Sequence, residues 1–234
     1  MSLFHPTNLV CPSCEAPIEM MAVSSVNADR RPDFRDDILE NRFQDVTCAA
    51  CNTQFRLQPE FNYLDAGRGQ WIVALPSSRL RDHLGVEDEA DALFDASYGE
   101  KAPAAARDVG ENLNRRVTFG WPAVREKLLL RAHDLDDAVI EMVKMDVLRR
   151  IPEAPVREGV ELRVVAVHET AFDMLWLETA TEAPVTQMSV PRSIYTAIVA
   201  VPDDWAKLRA RIDNGPFVDM QKTFIGPGRV KAAE

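Results

Sequence analysis

Four cysteines occur as two pairs near the start of the chain. Cys11 and Cys14 belong to the sequence CPSC, and Cys48 and Cys51 belong to CAAC. This spacing lets a tight turn direct both thiolates of a pair at one ion, and two such turns complete a tetrahedral set of sulfur ligands. The pattern predicts a structural Zn²⁺ ion held by all four cysteines.

Other uses of the same residues stay open. Iron is one alternative, because rubredoxin-like proteins also use two CxxC pairs, one of them written CPxC. A CxxC redox centre needs a pair that opens a helix after a strand in a βαβ context, which is missing here. Disulfides are the remaining alternative. Because four cysteines leave no open coordination position, the ion is expected to fold its module and not to catalyse a reaction.

The residue after each cysteine pair is expected to adopt a positive φ. Asn52 follows Cys51 and tolerates this left-handed conformation. Glu15 occupies the matching position after Cys14, where glycine would be expected. The first turn is therefore predicted to be slightly irregular.

The composition is that of an acidic globular protein. The chain has 234 residues, of which 46% are hydrophobic and 27% charged, and its formal net charge is -10. The acidic excess is present both before and after residue 76. Such a field repels nucleic-acid phosphates and argues against a nucleic-acid partner.

The start of the chain carries no basic segment followed by an apolar one, and no run approaches about 18 apolar residues. These features predict a cytoplasmic protein with no membrane partner. In a reducing compartment, a cysteine pattern is more often metal-binding or catalytic than a disulfide framework.

The order of predicted elements indicates an α+β fold with three parts. Residues 1–76 read as a zinc-ribbon-like β module, in which the start around His5 is flexible and residues 27–37 form a turn-rich charged loop. Residues 77–120 read as a connecting segment with short helices, one of them near 87–96.

Residues 121–234 read as an α+β C-terminal domain, a helical segment followed by a small antiparallel sheet with flanking helices. Pro122 suits a first helical turn, and a break between helices is expected at residues 133–136. Strands are predicted within 160–180 and one or two more within 186–201, followed by a short helix from about residue 202.

Several of these features together resemble the CpXC-domain family of bacterial and archaeal proteins. They are CPSC, the second CxxC, an aromatic-containing strand pair, and REKLLLRAHDLDDAVIEMVK at residues 125–144. The resemblance spans about residues 8–150. It implies a zinc-ribbon-like module joined to a helical region, with the four cysteines as ligands, and no established activity. The chain departs from the family motif at Ala49, which replaces proline, and at Glu15.

A second candidate site surrounds His133, which precedes Asp134, Asp136 and Asp137. A histidine with carboxylates can serve a hydrolytic or metal site, but the same residues suit helix ends, with Asp134 as a cap and the other two beside the next helix N-terminus. The helix-end interpretation is favoured. His168 is interpreted as a turn residue.

The favoured function is that of a zinc-stabilised binding or scaffold protein, which engages another protein or a second copy of itself. It rests on the closed metal site and on the lack of an enzyme signature: no G-x-S-x-G is present, and GPGR at 226–229 is too short for a phosphate loop. The alternatives are a hydrolase that uses His133 or His168 between the two units and a nucleic-acid accessory protein.

Overall fold

A computed structural model describes residues 2–151 and 153–225, so the segment 226–229 lies outside the described residues. Within those limits, no helix combines the length and apolar character needed to cross a membrane. The predicted α+β class is confirmed. Its strands are β1 Leu3–Val10, β2 Pro17–Asn27, β3 Asp45–Thr47, β4 Gln54–Arg56, β5 Phe61–Asp65, β6 Gln70–Leu75, β7 Asn114–Phe119, β8 Val160–Val167, β9 Ala171–Glu178 and β10 Pro184–Pro191. Its helices are α1 Pro32–Leu39, α2 His83–Tyr98, α3 Ala104–Gly110, α4 Trp121–Ala132, α5 Asp137–Arg150, α6 Arg192–Ala200, α7 Pro202–Ile212 and α8 Lys222–Ile225.

A five-stranded sheet has the order β1-β2-β5-β6-β7. The pairs β1–β2 and β5–β6 are antiparallel, whereas β2–β5 and β6–β7 are parallel. β3 and β4 form a separate antiparallel pair. The start of the chain is therefore the edge strand β1, and the expectation that it is flexible was wrong. Cross-strand pairing along the whole of β1 orders it.

Helix α1 replaces the predicted charged loop. Pro32 lies in its first turn, where a missing N–H costs little. Phe34 and Ile38 are four residues apart and both contact the core below the five-stranded sheet, where Ile38 is fully buried. The ring of Phe34 packs 5.2 Å from that of Phe43. Burial of these apolar residues outweighs the charged composition of the segment.

The stretch 77–120 contains more regular structure than a connector needs. Helix α2 includes the predicted helix at 87–96 and extends it at both ends. β7 follows and pairs in parallel with β6 over its whole length. The division at residues 76 and 120 stays a prediction, and β7 ties this stretch to the N-terminal sheet.

The predicted break between helices is confirmed. α4 ends at Ala132 and α5 begins at Asp137. The cap is Asp136, whose side chain accepts hydrogen bonds from the N–H groups of Ala138 and Val139 at 2.9 and 3.3 Å. The expectation that Asp134 is the cap was wrong, because Asp134 adopts a positive φ of 52° in the loop before it.

Helix α4 serves two cores. Trp121, Val124 and Leu128 pack in the core of the five-stranded sheet. Leu130 belongs to the second core, which α5 shares with the three-stranded sheet β10-β9-β8. Helix α6 covers part of this second core and replaces a predicted strand. Its Ile198 is buried there, because a helical turn brings it onto the face that packs on α5.

Charged side chains are buried between α4, α5 and β8. Lys144 has no exposed side-chain surface, and its Nζ lies 2.7 Å from a carboxylate oxygen of Glu126 and 2.8 Å from one of Glu141. Burial raises the pKa of Glu126, but Lys144 and Arg163 outweigh burial and hold that pKa below its ordinary value. The lysine therefore keeps a buried carboxylate ionised.

Arg163 extends the same cluster to the C-terminal segment. Its Nη1 lies 3.0 Å from Glu126 and 2.6 Å from Asp219, and its Nε donates to Glu161 at 2.8 Å. The residue is 2% exposed. The cluster thus joins two helices, a strand and residue 219 through paired charges, and backbone N–H groups such as those of Val164 and Met220 donate to its carboxylates.

We predict that Lys144→Met lowers the free energy of unfolding by about 3–5 kcal/mol, because it leaves two buried carboxylates without their shared cation. Urea denaturation followed by circular dichroism measures the change. The matched control is Lys207→Met, which removes the same charge from an exposed position of α7. Equal stability of the two variants would contradict the assigned role of the cluster.

Candidate metal centre

Both cysteine pairs lie at the turns of antiparallel hairpins. Cys11 and Cys14 join β1 to β2, and Cys48 and Cys51 join β3 to β4. The first hairpin is part of the five-stranded sheet, and the second is the separate two-stranded pair. Two distant parts of the sequence therefore present their cysteines in the same local setting.

The two turns share one hydrogen-bond pattern. The N–H of the first cysteine donates to the carbonyl five residues later, and its own carbonyl accepts from the N–H four residues later. Because the turns match, each presents its two thiols in the same way, which suits one ion with four cysteine ligands. The bonds are Cys11 N to Ala16 O at 2.9 Å and Glu15 N to Cys11 O at 3.0 Å, then Cys48 N to Thr53 O at 2.9 Å and Asn52 N to Cys48 O at 2.8 Å.

The residue after each pair adopts the left-handed conformation. The φ angles are 59° at Glu15 and 58° at Asn52. The prediction of an irregular first turn was wrong, because Glu15 takes the required conformation in spite of its Cβ. A glutamate in this region costs more than an asparagine. The first turn therefore holds strain that the second one largely avoids.

The four sulfur atoms converge. All four Sγ atoms lie within 4.8 Å of one another, and Cys11–Cys51 and Cys14–Cys48 are each 3.7 Å apart. A tetrahedron with metal–sulfur bonds of about 2.3 Å has edges of about 3.8 Å. A disulfide needs about 2.0 Å, and all four cysteines are free. The four cysteines can hold one metal ion.

The four thiols differ in exposure and in acidity. Cys11 and Cys48 are buried, Cys51 is half-buried and Cys14 is exposed. Hydrogen bonds with the side chain and then the backbone of Thr53 lower the pKa of Cys51 to about 6.

The opposite shift occurs at Cys14. A backbone hydrogen bond from Ala16 lowers the pKa of Cys14, but Cys51, desolvation and the other two cysteines outweigh it and raise this pKa to about 12. Four adjacent thiolates repel one another, so a bound cation is needed to ionise the whole set.

Contacts outside the turns join the second hairpin to the first hairpin and to α4. The Gln44 side chain, just before β3, accepts a hydrogen bond from the N–H of Val23 in β2 at 2.8 Å. The indole N–H of Trp121 donates to the carbonyl of Leu57, just after β4, at 2.7 Å. Sequence patterns gave no signal for Gln44 or for Thr53, since both act through contacts that only the fold creates.

The other predicted site residues do not assemble into one site. Asp134, Asp136 and Asp137 line a cavity, and His133 does not line it. His168 lies elsewhere, on an exposed surface, where its Nε2 is 2.9 Å from Asp173. The residues of the hydrolase hypothesis are therefore dispersed over two places.

A comparison with protein families gave a match that covers both cysteine pairs. The model of a family described as CpXC protein matches residues 9–144. This range contains both cysteine pairs and ends within α5. No curated protein and no solved structure gave a match.

We predict that Glu15→Gly raises the free energy of unfolding by about 1 kcal/mol, because glycine adopts a positive φ without the Cβ penalty. Asn52→Gly is the matched control in the second turn and is expected to change stability by a few tenths of a kcal/mol. Chemical denaturation at fixed metal content measures both.

Glu15→Gln separates conformation from charge in the same experiment. It removes the carboxylate beside the thiols but keeps the Cβ, so it is expected to give less than half of the glycine effect. A gain from Glu15→Gln as large as that from Glu15→Gly would show that charge, not backbone strain, limits the first turn.

Proposed function

The chain belongs to the CpXC protein family, and we propose that it is a non-catalytic, zinc-stabilised protein that binds other proteins. In this proposal, Cys11, Cys14, Cys48 and Cys51 hold one structural Zn²⁺ ion. The observation that carries it is the convergence of four sulfur atoms from two hairpins of matching geometry.

The donor set supports zinc. Four thiolates in tetrahedral arrangement suit Zn²⁺ and, as the alternative, iron. Zinc has no redox chemistry and no geometric preference of its own, so it suits a site whose role is to join two hairpins. With four protein ligands the ion has no position left for substrate. It would therefore stabilise the fold and leave binding to the surface.

The outer hairpin supports a binding role. β1 is an edge strand of the five-stranded sheet. Val10, beside the first cysteine, is 65% exposed, and Met21 on β2 is 54% exposed. At the far end of β1, Leu3 and Phe4 are about half exposed. An edge strand that exposes apolar side chains at both ends can pair with another chain unless a partner covers it. We propose this hairpin as the partner-binding surface.

Cys48→Ser is expected to abolish stoichiometric zinc binding and to make residues 8–60 sensitive to protease, because free energy of metal binding at such sites, about 10–16 kcal/mol, is coupled to folding. The core around α5 and β8–β10 is expected to keep its protection. Plasma emission spectrometry and limited proteolysis measure these outcomes. The emission spectrometry also distinguishes zinc from iron in the unmodified protein.

Ser13→Ala is the matched control, since Ser13 lies between the cysteines of the first pair without being a ligand. It should keep one zinc per chain and full protection. If Cys48→Ser also kept one zinc per chain and full protection, the proposed site would be wrong.

The binding surface is tested with a photocrosslinking amino acid placed at Val10 in cells that produce the chain. We expect a defined protein adduct from Val10 and none from the control position Val165, which is 45% exposed on β8. Adduct masses distinguish a second copy of the chain from a different protein. Equal yields at the two positions would contradict the assignment of the hairpin.

A further inference from the structure

A cavity of about 300 Å³ lies where α4 ends and α5 begins. Its lining comes from β6, β7, both of these helices and α7, and includes none of the four cysteines. The family resemblance and the proposed zinc site give it no role. Small-ligand sites are clefts of this kind with a few convergent polar groups, so the polar groups decide what the cavity would bind.

The sheet provides one wall. Gln70 and Ile72 of β6 lie opposite Asn114 and Arg116 of β7 in the parallel register. Residues two apart in a strand point to the same face, so all four side chains share the face that lines the cavity. Helix α4 adds two cationic side chains to the lining, those of Lys127 and Arg131.

Three of the four basic residues in the lining have acidic partners. Arg116 binds Asp137 through two hydrogen bonds of 2.7 and 2.9 Å, and Lys127 lies 2.7 Å from the same carboxylate. Arg209 lies 2.7 Å from Asp136. These pairs satisfy one another and hold the walls together, so they supply structure and not a free charge.

Arg131 is the exception. Its Nε donates to the carbonyl of Arg68, and no carboxylate lies within 4 Å of its guanidinium among residues 2–151 and 153–225. Its Nη2 lies against Gly69, which has a positive φ of 60°, and a Cβ at that glycine would be only 2.9 Å from Nη2. The glycine thus makes room for a cation that still lacks a counter-charge.

Gln70 adds an acceptor without a donor. The residue is 6% exposed, and its Nε2 donates to the carbonyl of Lys127 at 3.1 Å. Its Oε1 is buried and has no hydrogen-bond partner in the described part of the chain. Leaving a buried acceptor unpaired is costly, so a donor placed there would stabilise the protein.

The charged residues around the cavity also restrict the net charge that a ligand can carry. The lining holds four basic residues and three acidic ones. Asp213, outside the lining, lies 3.6 Å from Arg116 and 3.7 Å from Arg209, so the paired charges balance and Arg131 is the cation left for a ligand in the described part of the chain. A monoanion neutralises Arg131, whereas a dianion such as phosphate brings a second negative charge into a lining that also holds Asp134. The three acidic residues are Asp134, Asp136 and Asp137.

We propose that this cavity binds a small carboxylate that also carries a hydroxyl group, with the carboxylate paired to Arg131 and the hydroxyl donating to Oε1 of Gln70 once the Gln70 amide turns this buried oxygen toward the cavity. The site is independent of the zinc site and of the proposed binding hairpin.

Three matched pairs of probes test the proposal on the full chain: acetate with glycolate, propanoate with 3-hydroxypropanoate, and butanoate with 4-hydroxybutanoate. Titrations at constant ionic strength are followed by calorimetry and by the side-chain N–H signals of arginine and glutamine in NMR spectra. We expect saturable binding, and at least one hydroxylated probe should bind at least fivefold more tightly than its partner. Inorganic phosphate should bind more weakly than that probe.

Two variants assign the contacts. Arg131→Met should weaken binding at least tenfold, while Arg149→Met, which removes an exposed arginine from the end of α5, should leave it unchanged. Gln70→Met should remove the advantage of the hydroxyl. If either cavity variant fails to fold, saturable shifts of the Arg131 and Gln70 signals in the unmodified protein decide the matter.

Several results would overturn the proposal. They are non-saturable shifts spread over exposed arginines, equal affinity within all three pairs, or affinity that Arg131→Met leaves intact. Tighter binding of phosphate would overturn the preference for a carboxylate.

Discussion

Mutual repulsion of four converging thiols is the constraint on which the N-terminal part of the molecule depends. The sulfur atoms lie within 4.8 Å of one another, closer than four ionised groups remain without a cation. Three features hold the cysteines in this arrangement: the two matching turns, the Gln44 contact between the hairpins and the contact from Trp121 of α4 to Leu57. A structural metal would convert this repulsion into the strongest stabilising interaction of the module.

The C-terminal part depends on a different interaction, a buried cluster of charged side chains. There, Lys144 and Arg163 hold together carboxylates from α4, α5, β8 and residue 219 inside the protein. Buried ion pairs add little stability over apolar packing, but removal of one member is costly. Such a cluster therefore fixes which elements meet. Helix α4 takes part in both systems, because it carries Trp121 at one end and Glu126 in its middle.

Sequence patterns predicted the parts of the fold that local chemistry controls. The convergence of the cysteines follows from CxxC spacing, and the break before α5 follows from the aspartates at its start, although the sequence predicts Asp134 and not Asp136 as the cap. Helices α1 and α6 were missed because a charged segment and a β-branched segment resemble loop and strand until tertiary packing selects their apolar faces. The buried cluster was missed because its members lie far apart in sequence and charged residues ordinarily face solvent. The sequence likewise gave no reason to single out Arg131 and Gln70, because only the fold brings them together around one cavity.

The most direct test of the zinc site is X-ray absorption spectroscopy of the purified full chain at the metal edge. The account predicts a zinc edge and four sulfur scatterers at about 2.3 Å, with no nitrogen or oxygen in the inner shell. An iron edge would contradict the choice of metal. A zinc ion bound by fewer than four sulfur atoms would contradict the closed site from which the non-catalytic role is inferred.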